Sequence, residues 1–208
     1  MSLESALRAG LEALDTPCDE AQQTRLLDYL GLIGRWNRTY NLTAVREPAD
    51  MLSKHLLDSL SVLPWVAPGR LLDAGTGAGL PGIPLAIVKP GLEVTLLDSA
   101  GKKVRFLGHV KRQLSLANVH PLQARLESAE LAHLPDTIIS RAFSSLADYA
   151  AAARHLAGGD TRILAMKGRY PREEIEALPG WVDVRSVEKL SVPGLHEQRH
   201  LVIMSVCS

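Results

Sequence analysis

The stretch Leu71–Val88, LLDAGTGAGLPGIPLAIV, constrains this chain more than any other. An apolar run ends in Asp73, passes through Gly75, Gly77 and Gly79, and then resumes with the dense apolar content of a helix. A strand that turns through glycines straight into a helix opens a β–α unit. Without Cβ atoms the backbone turns tightly and approaches a flat or charged ligand closely. The chain after Gly69 continues in the same manner, alternating short apolar runs with helical stretches: RLLDA, LPGIPLAIV, EVTLLD, KKVRFLGHVKRQLSL, NVHPLQ, DTIISR, a helix through Leu146 to Leu156, and RILAMKG. VDVRSVEKL and HLVIMSV then close it as a strand pair. This alternation predicts an α/β fold with a doubly wound, mostly parallel sheet and right-handed crossovers.

The first sixty-odd residues read differently. Thr16, Pro17 and Asp19 form an N-cap, first-turn proline and acidic third position. Leu26, Leu27, Leu30, Ile33 and Trp36 follow at helical spacing. A second helix begins near Pro48 and carries Met51, Leu52, His55, Leu56, Ser59 and Leu60 before the breaks at Pro64 and Pro68. The expected organisation is a helical N-terminal cap over residues 1–66, part of the same globular unit, and a ligand-binding domain over 67–208. A chain of 208 residues with 46% hydrophobic content suffices for one proper core. The N-terminus lacks a signal peptide's basic region and apolar run, and no stretch approaches a membrane span. Cys18 and Cys207 lie near opposite ends and read as free thiols of a reducing compartment, and no His/Cys cluster points to a metal. The expectation is therefore a cytoplasmic protein without membrane attachment, and a monomer.

Glycine spacing separates two candidate ligands. A dinucleotide-binding turn places glycines at the first, third and sixth positions. Counted from Gly75, the sixth position here is Leu80, and the observed pattern is Gly-x-Gly-x-Gly. Asp98 ends EVTLLD 19 positions beyond Gly79, near the offset of a carboxylate that accepts from ribose hydroxyls. NAD and S-adenosylmethionine both carry that ribose, but Asp73 suits the positively charged amino-acid end of the latter. The loop spacing thus favours S-adenosylmethionine. A plainer role for Asp98 is capping the helix that follows it.

Six stretches in order resemble one family: RWNRTYNLTAV (Arg35–Val45), KHLLDSL (Lys54–Leu60), DAGTGAGLPGIPLAI (Asp73–Ile87), LLDSAGKKVRFL (Leu96–Leu107), ISRAF (Ile139–Phe143) and MKG (Met166–Gly168). They look like the bacterial glucose-inhibited division protein B family, the small-subunit ribosomal RNA methyltransferases G. The resemblance implies a seven-stranded sheet of the class I S-adenosylmethionine-dependent methyltransferase type. It also implies methylation of N7 of a single guanine of 16S rRNA, at position 527 in the 530 loop. Residue by residue it implies a cofactor site in which Gly75, Thr76, Gly77, Gly79 and Leu80 form the loop and Asp98 is the ribose acid. Leu126 and Glu127 would lie against the adenine, and Arg141 would belong to the same pocket. Two positions depart from the family: Leu80 stands where many members carry phenylalanine, and Ser144 where alanine is common. Neither departure removes a polar contact.

With 23 basic and 23 acidic residues, any surface for a polyanion must be local. Lys102, Lys103, Arg105, Lys111 and Arg112 form an acid-free basic stretch whose natural partner is phosphate, or else a solvated helix face. Arg35, Trp36, Asn37, Arg38, Tyr40 and Asn41 interleave basic, aromatic and amide groups suited to an extruded base. Trp36 reads better as packing, leaving Arg38 and Asn41 as positioning candidates. His55 and Asp58 lie one turn apart and read either as a base with its carboxylate or as a packed hydrogen-bonded pair; because guanine N7 needs no proton removed, the expectation is that they position the target or brace the cap. Lys167 and Arg199, at sheet ends, complete the RNA-contact set with Arg35. The expected partner is 16S rRNA, or the small ribosomal subunit assembled or assembling around it. An adenine-N6 enzyme would show an Asn/Asp-Pro-Pro-aromatic stretch, and a cytosine-C5 enzyme a core cysteine; the sequence has neither. Two other readings stay open at this level: an NAD-dependent oxidoreductase of the Rossmann class, and a non-catalytic RNA-binding protein.

Overall fold

A computed structural model describes residues 2–141, 143 and 145–207, so the Ser144 departure lies outside the described residues. Two helices open the chain, α1 (Leu3–Ala13) and α2 (Glu20–Tyr40). The N-cap of α2 is Asp19, which corrects the expectation that Thr16 caps it. The Asp19 carboxylate accepts from the Gln22 amide, and the Gln22 side chain accepts from the Asp19 N–H, a reciprocal box that a threonine three residues earlier has no means to form. The same glutamine donates to the carbonyls of Ile87 and Val88 and so ties α2 to the end of a later helix.

The expected second helix begins at Pro48 but is not uniformly α. A short α3 (Pro48–Met51) opens into π-wound turns over Leu52–Leu57, and one α turn, α4 (Asp58–Leu60), follows. The Asp58 amide donates to the Ser53 carbonyl, five residues back. Such widened turns recur at functional sites because they re-aim side chains that regular winding would align. Here His55 and Asp58 are the residues affected.

The sheet contains β1 (Arg70–Ala74), β2 (Glu93–Asp98), β3 (Val119–Gln123), β4 (Thr137–Ser140), β5 (Arg162–Lys167), β6 (Val182–Leu190) and β7 (Arg199–Val206). Their order is β3-β2-β1-β4-β5-β7-β6. The first five pair in parallel, and β7 runs antiparallel between β5 and β6, which is the expected closing pair. The connecting helices are α5 (Gly82–Val88), α6 (Gly101–Gln113), α7 (Leu146–Ala153) and α8 (Arg172–Glu176).

Adjacent residues of each central strand enter opposite cores, as a pleat requires. Leu71, Leu96, Ile139, Leu164 and Leu201 face one side, where Leu26, Tyr29, Ile33, Leu56 and Leu60 of the N-terminal helices pack with Ile83, Phe106 and Leu107. Leu72, Leu97, Ile138, Ile163 and Val202 face the other, against Leu146, Tyr149 and Ala153 of α7. The reversed order around β1 and β4 is the switch point at which sheets of this kind bind ligands beyond their strand ends.

Candidate active site

The site begins at the end of β1. The Gly75 and Thr76 amides both donate to the Leu97 carbonyl, at 2.9 and 3.0 Å, so the glycine loop is pinned to the end of β2. Gly75 and Gly77 hold φ values of 70° and 62°, in the left-handed region. At Gly77 a Cβ would meet only open space, apart from the Gly75 carbonyl 4.0 Å away. Gly79 differs: its φ is 97°, and a Cβ there would lie 2.5 Å from Ile83 and 3.1 Å from the Tyr29 hydroxyl. The sequence reading assigned all three glycines to ligand approach. The structure shows Gly79 as a packing position, whereas at Gly77 no side chain lies within reach of a Cβ. Leu80 is likewise buried in the apolar core under the N-terminal helices.

Asp73, wholly buried, anchors this turn. Its Oδ2 accepts from the Thr76 hydroxyl at 2.5 Å and from the Gly82 amide at 2.8 Å. Its Oδ1 is buried with no partner. Burial lifts the carboxyl to about 6, against the lowering by those two hydrogen bonds and by the Arg141 charge. A buried carboxylate oxygen left bare is costly.

Asp98, at the end of β2, accepts from the Ala100 amide at 2.9 Å, the Gly77 amide at 3.0 Å and Lys103 Nζ at 3.2 Å. The turn into α6 is thus part of its work, although the residue that caps α6 is Ala100. Lys103 also departs from the sequence expectation. It was grouped with Lys102 as an RNA contact, but its ammonium reaches the ribose-acid candidate, because α6 starts beside that carboxylate and its first turn faces inward. Lys102 and Arg105 remain exposed.

Gly75, Leu97, Asp98, Ser99, Lys103, Ala124, Arg125, Leu126, Glu127 and Phe143 line one cleft of about 280 Å³. It brings Gly75 of the loop together with the ribose-acid candidate and the Leu126–Glu127 pair, while Asp73, Thr76, Gly77, Gly79, Leu80 and Arg141 do not line it. Phe143 stacks on Tyr149 with ring centroids 4.9 Å apart and forms the far wall.

A second set of side chains sits under the N-terminal helices. His55 and Asp58 do not bond to each other, which overturns the paired reading: the π-wound turns send them to different partners. His55 Nε2 lies 2.9 Å from the Thr43 hydroxyl, while Nδ1 is buried without a partner. Burial, reinforced by the Arg141 and Lys54 charges, depresses this imidazole to about 4, so it is neutral at physiological pH. The Asn37 side chain in turn holds both the amide and the carbonyl of Thr43, each at 2.9 Å. Asp58 is a buried carboxylate between two arginines, with Arg141 Nη1 at 3.3 Å and Arg199 Nε at 3.0 Å. Burial raises its pKa while both guanidiniums oppose the rise.

Arg199 therefore does not project freely from the sheet end. Lys167 is also drawn inward: its ammonium is 2.7 Å from Glu174 and 3.2 Å from the Phe143 carbonyl, which supports the cleft wall. Arg35 and Arg38 are exposed on α2, and Arg38 lines a groove with Arg46 outside the cleft. Asn41 is the left-handed C-cap of α2, with φ 49°, and Trp36 packs between Tyr40, Phe106 and His109. The sequence reading missed Tyr29, Asn37 and Thr43 as organisers of the site. Tyr29 did carry a signal: a phenol within an apolar helical stripe requires a polar partner, and it donates to the Ala78 carbonyl at 2.7 Å.

Residues 22–202 match the model of the family described as GidB: rRNA small subunit methyltransferase G. The chain is 50% identical over 199 residues to a ribosomal RNA small subunit methyltransferase G of Pseudomonas aeruginosa, covering 95% of this chain and 93% of that protein. It is 52% identical over 197 residues to the protein of that name from Stutzerimonas stutzeri, covering 94% and 92%. Two solved structures share the fold. TrmN from Thermus thermophilus superposes with a TM-score of 0.60 at 17% identity, over 74% of this chain and 53% of its own. The glycopeptide N-methyltransferase MtfA, solved with S-adenosyl-L-methionine, gives 0.61 at 12% identity, over 74% and 88%.

Proposed function

We infer the reaction from a plain premise: the chain belongs to the GidB family, rRNA small subunit methyltransferase G. It is an S-adenosylmethionine-dependent methyltransferase, and its substrate is small-subunit ribosomal RNA. The oxidoreductase and non-catalytic readings are thereby set aside. The finer reading is that the methyl group goes to N7 of a single guanine of 16S rRNA, in the 530 loop. The protein would act as a monomer in the cytoplasm, on the rRNA or on an assembled or assembling small subunit.

One observation carries the cofactor assignment: Asp73, next to last in β1, holds a buried, unpartnered carboxylate oxygen under the turn in which Gly77 faces open space. That oxygen fits the ammonium of the cofactor's amino-acid end. Asp98 fits the ribose hydroxyls, and Gly77, where a Cβ would face open space, leaves room for the chain between the two acids. Leu126 and Glu127 fit the adenine, with Phe143 opposite. Bound there, S-adenosylmethionine supplies an electrophilic methyl group on sulfonium sulfur.

The remaining work falls to orientation. Guanine N7 presents an in-plane lone pair and no proton at neutral pH, so no side chain has to remove one. His55 agrees with this, since a buried imidazole depressed to about 4 is a poor proton acceptor. Its role, like that of Asp58, is to hold position: Asp58 fixes Arg141 and Arg199 across three elements, and His55 braces the Thr43 loop. The protein's task is to extrude the base, align N7 and exclude water.

The test uses radiolabelled S-adenosylmethionine with 16S rRNA and small subunits from a strain lacking the gene. Label confined to one guanine that becomes sensitive to N7-methylguanine-specific strand cleavage is expected. Label at another base, or at a guanine resistant to that cleavage, refutes N7 transfer.

A further inference from the structure

The edge where β5 ends carries an aromatic side chain that the cleft does not use. Tyr170 is 51% exposed, and with Leu134 it makes up the exposed large hydrophobic side chains among the described residues. It follows Lys167 by three residues, in the connection to α8. Because β7 runs antiparallel to β5, the start of β7 lies at the same edge, with Lys167 opposite His200 in register. Two contacts fix the ring. His200 meets it edge-on with centroids 5.8 Å apart, and the Arg172 guanidinium lies 5.9 Å from its centroid. His200 is itself held by the Gly168 carbonyl at 3.0 Å, so the loop and the strand brace each other.

Beside the ring, Gly168, Arg169, Glu197, Gln198 and Arg199 line an open groove of about 560 Å³. Glu197, the one acid in that lining, is 3.4 Å from the Lys54 ammonium. Arg169 is exposed, with no ion-pair partner among the described residues. Gly168 and Arg169 follow the end of β5, at the same strand-end edge where β1 and β2 reach the cofactor cleft, and two contacts tie the regions together. Lys167 donates to the Phe143 carbonyl on the cleft wall, and Arg199 shares Asp58 with Arg141. A braced aromatic face flanked by the exposed Arg169 and Arg172, at the sheet edge that carries the cofactor cleft, has the chemistry of a single-stranded nucleic-acid platform.

We propose that Tyr170 stacks on an unpaired nucleotide next to the target in the rRNA, with Arg169 holding its phosphate. The occupant is the RNA substrate itself, because the exposed cations beside the ring, Arg169 and Arg172, suit phosphate, and the ring stands at the strand-end edge that carries the cofactor cleft. This rests on the reading under Proposed function but concerns a different part of the substrate from the methylated base.

The test compares Tyr170→Ala, Tyr170→Phe and Arg169→Ala with the parent protein in two assays: methylation of small subunits lacking the modification, and filter binding of 16S rRNA. Tyr170→Ala is expected to raise KM and weaken RNA binding roughly five- to a hundredfold, the range for loss of one base–aromatic stack, with kcat and cofactor affinity unchanged. Tyr170→Phe should behave as the parent, and Arg169→Ala should lower the salt slope of RNA binding by about 0.7. The proposal is overturned if Tyr170→Ala binds RNA as the parent does, including the case where only particle kinetics change, which points to a protein contact. It is also overturned if Tyr170→Phe is as impaired as Tyr170→Ala. A parent protein that binds 16S rRNA through Tyr170 but methylates no guanine would refute the reaction assignment and leave the platform standing.

Discussion

With the cofactor's ammonium placed on the unpartnered oxygen of Asp73, as proposed, binding should depend on pH in a calculable way. In the free protein burial holds this carboxyl at about 6, against an ordinary value of 3.8. A shift of that size disfavours the charged form by about 3 kcal/mol at neutral pH. The sign follows from linkage: a raised carboxyl opposes folding above pH 6, and the penalty disappears as the pH falls below the ordinary value. A cationic ligand reverses the preference, since only the ionised carboxylate attracts an ammonium. S-adenosylmethionine affinity should therefore be level near pH 7 and fall roughly tenfold per unit below pH 6, in a range where an α-amino group stays protonated. At pH 6, binding should release roughly half a proton, read as a dependence of calorimetric enthalpy on the buffer's ionisation heat. Asp73→Asn should weaken binding at pH 7 and abolish the slope. It should also raise the melting temperature of the free protein, by roughly 2–4 °C for each kcal/mol of penalty removed. Affinity constant from pH 7 to pH 5, or an unchanged slope in Asp73→Asn, would refute the assignment of the ammonium to this oxygen.

Further outcomes follow from the same geometry. Asp98→Ala, which removes a charge-assisted acceptor, should weaken S-adenosylmethionine binding roughly ten- to a hundredfold by calorimetry in a protein that remains folded. Gly77→Ala and Gly79→Ala should separate: both place a Cβ at a positive φ, but the first adds only that strain to its loss of cofactor affinity, while the second lowers the melting temperature further because its Cβ meets Ile83 and the Tyr29 hydroxyl. Single-turnover methylation should be nearly flat from about pH 6.5 to 8.5, since His55 is already neutral there; a rise of tenfold that vanishes in His55→Ala would make it a base.

The parts of this molecule that were legible in advance are those governed by local pattern. The β–α alternation identified the sheet, and the loop spacing with Asp98 identified the cofactor class, because both depend on residues close in sequence. The errors lie where distant segments decide. Lys167 and Arg199 looked like free cations at strand ends, but Glu174 and Asp58, the latter 141 residues from Arg199, take them inward. His55 and Asp58 looked paired because regular winding places i and i+3 on one face, and the π-wound turns remove that premise. Lys103 was grouped with its neighbour by charge alone, although successive residues of a helix point in different directions. Asn41 looked like a base-reading amide, whereas its backbone conformation, common for asparagine at helix ends, accounts for its presence.

The Tyr29 hydroxyl bond to the Ala78 carbonyl bears on how this scaffold can be reused. The glycine turn takes its shape partly from a phenol 49 residues upstream, on a helix outside the sheet. A fragment starting at β1 would keep every residue of the turn yet lose one of the supports that set its curvature, and would expose the apolar face that Leu26, Tyr29 and Ile33 cover. Transplanting the loop into another α/β protein, or trimming this one to a minimal cofactor binder, should therefore fail unless the second helix travels with it. Portability here belongs to the loop and its overlying helix together, and the glycine signature alone is not a transferable part.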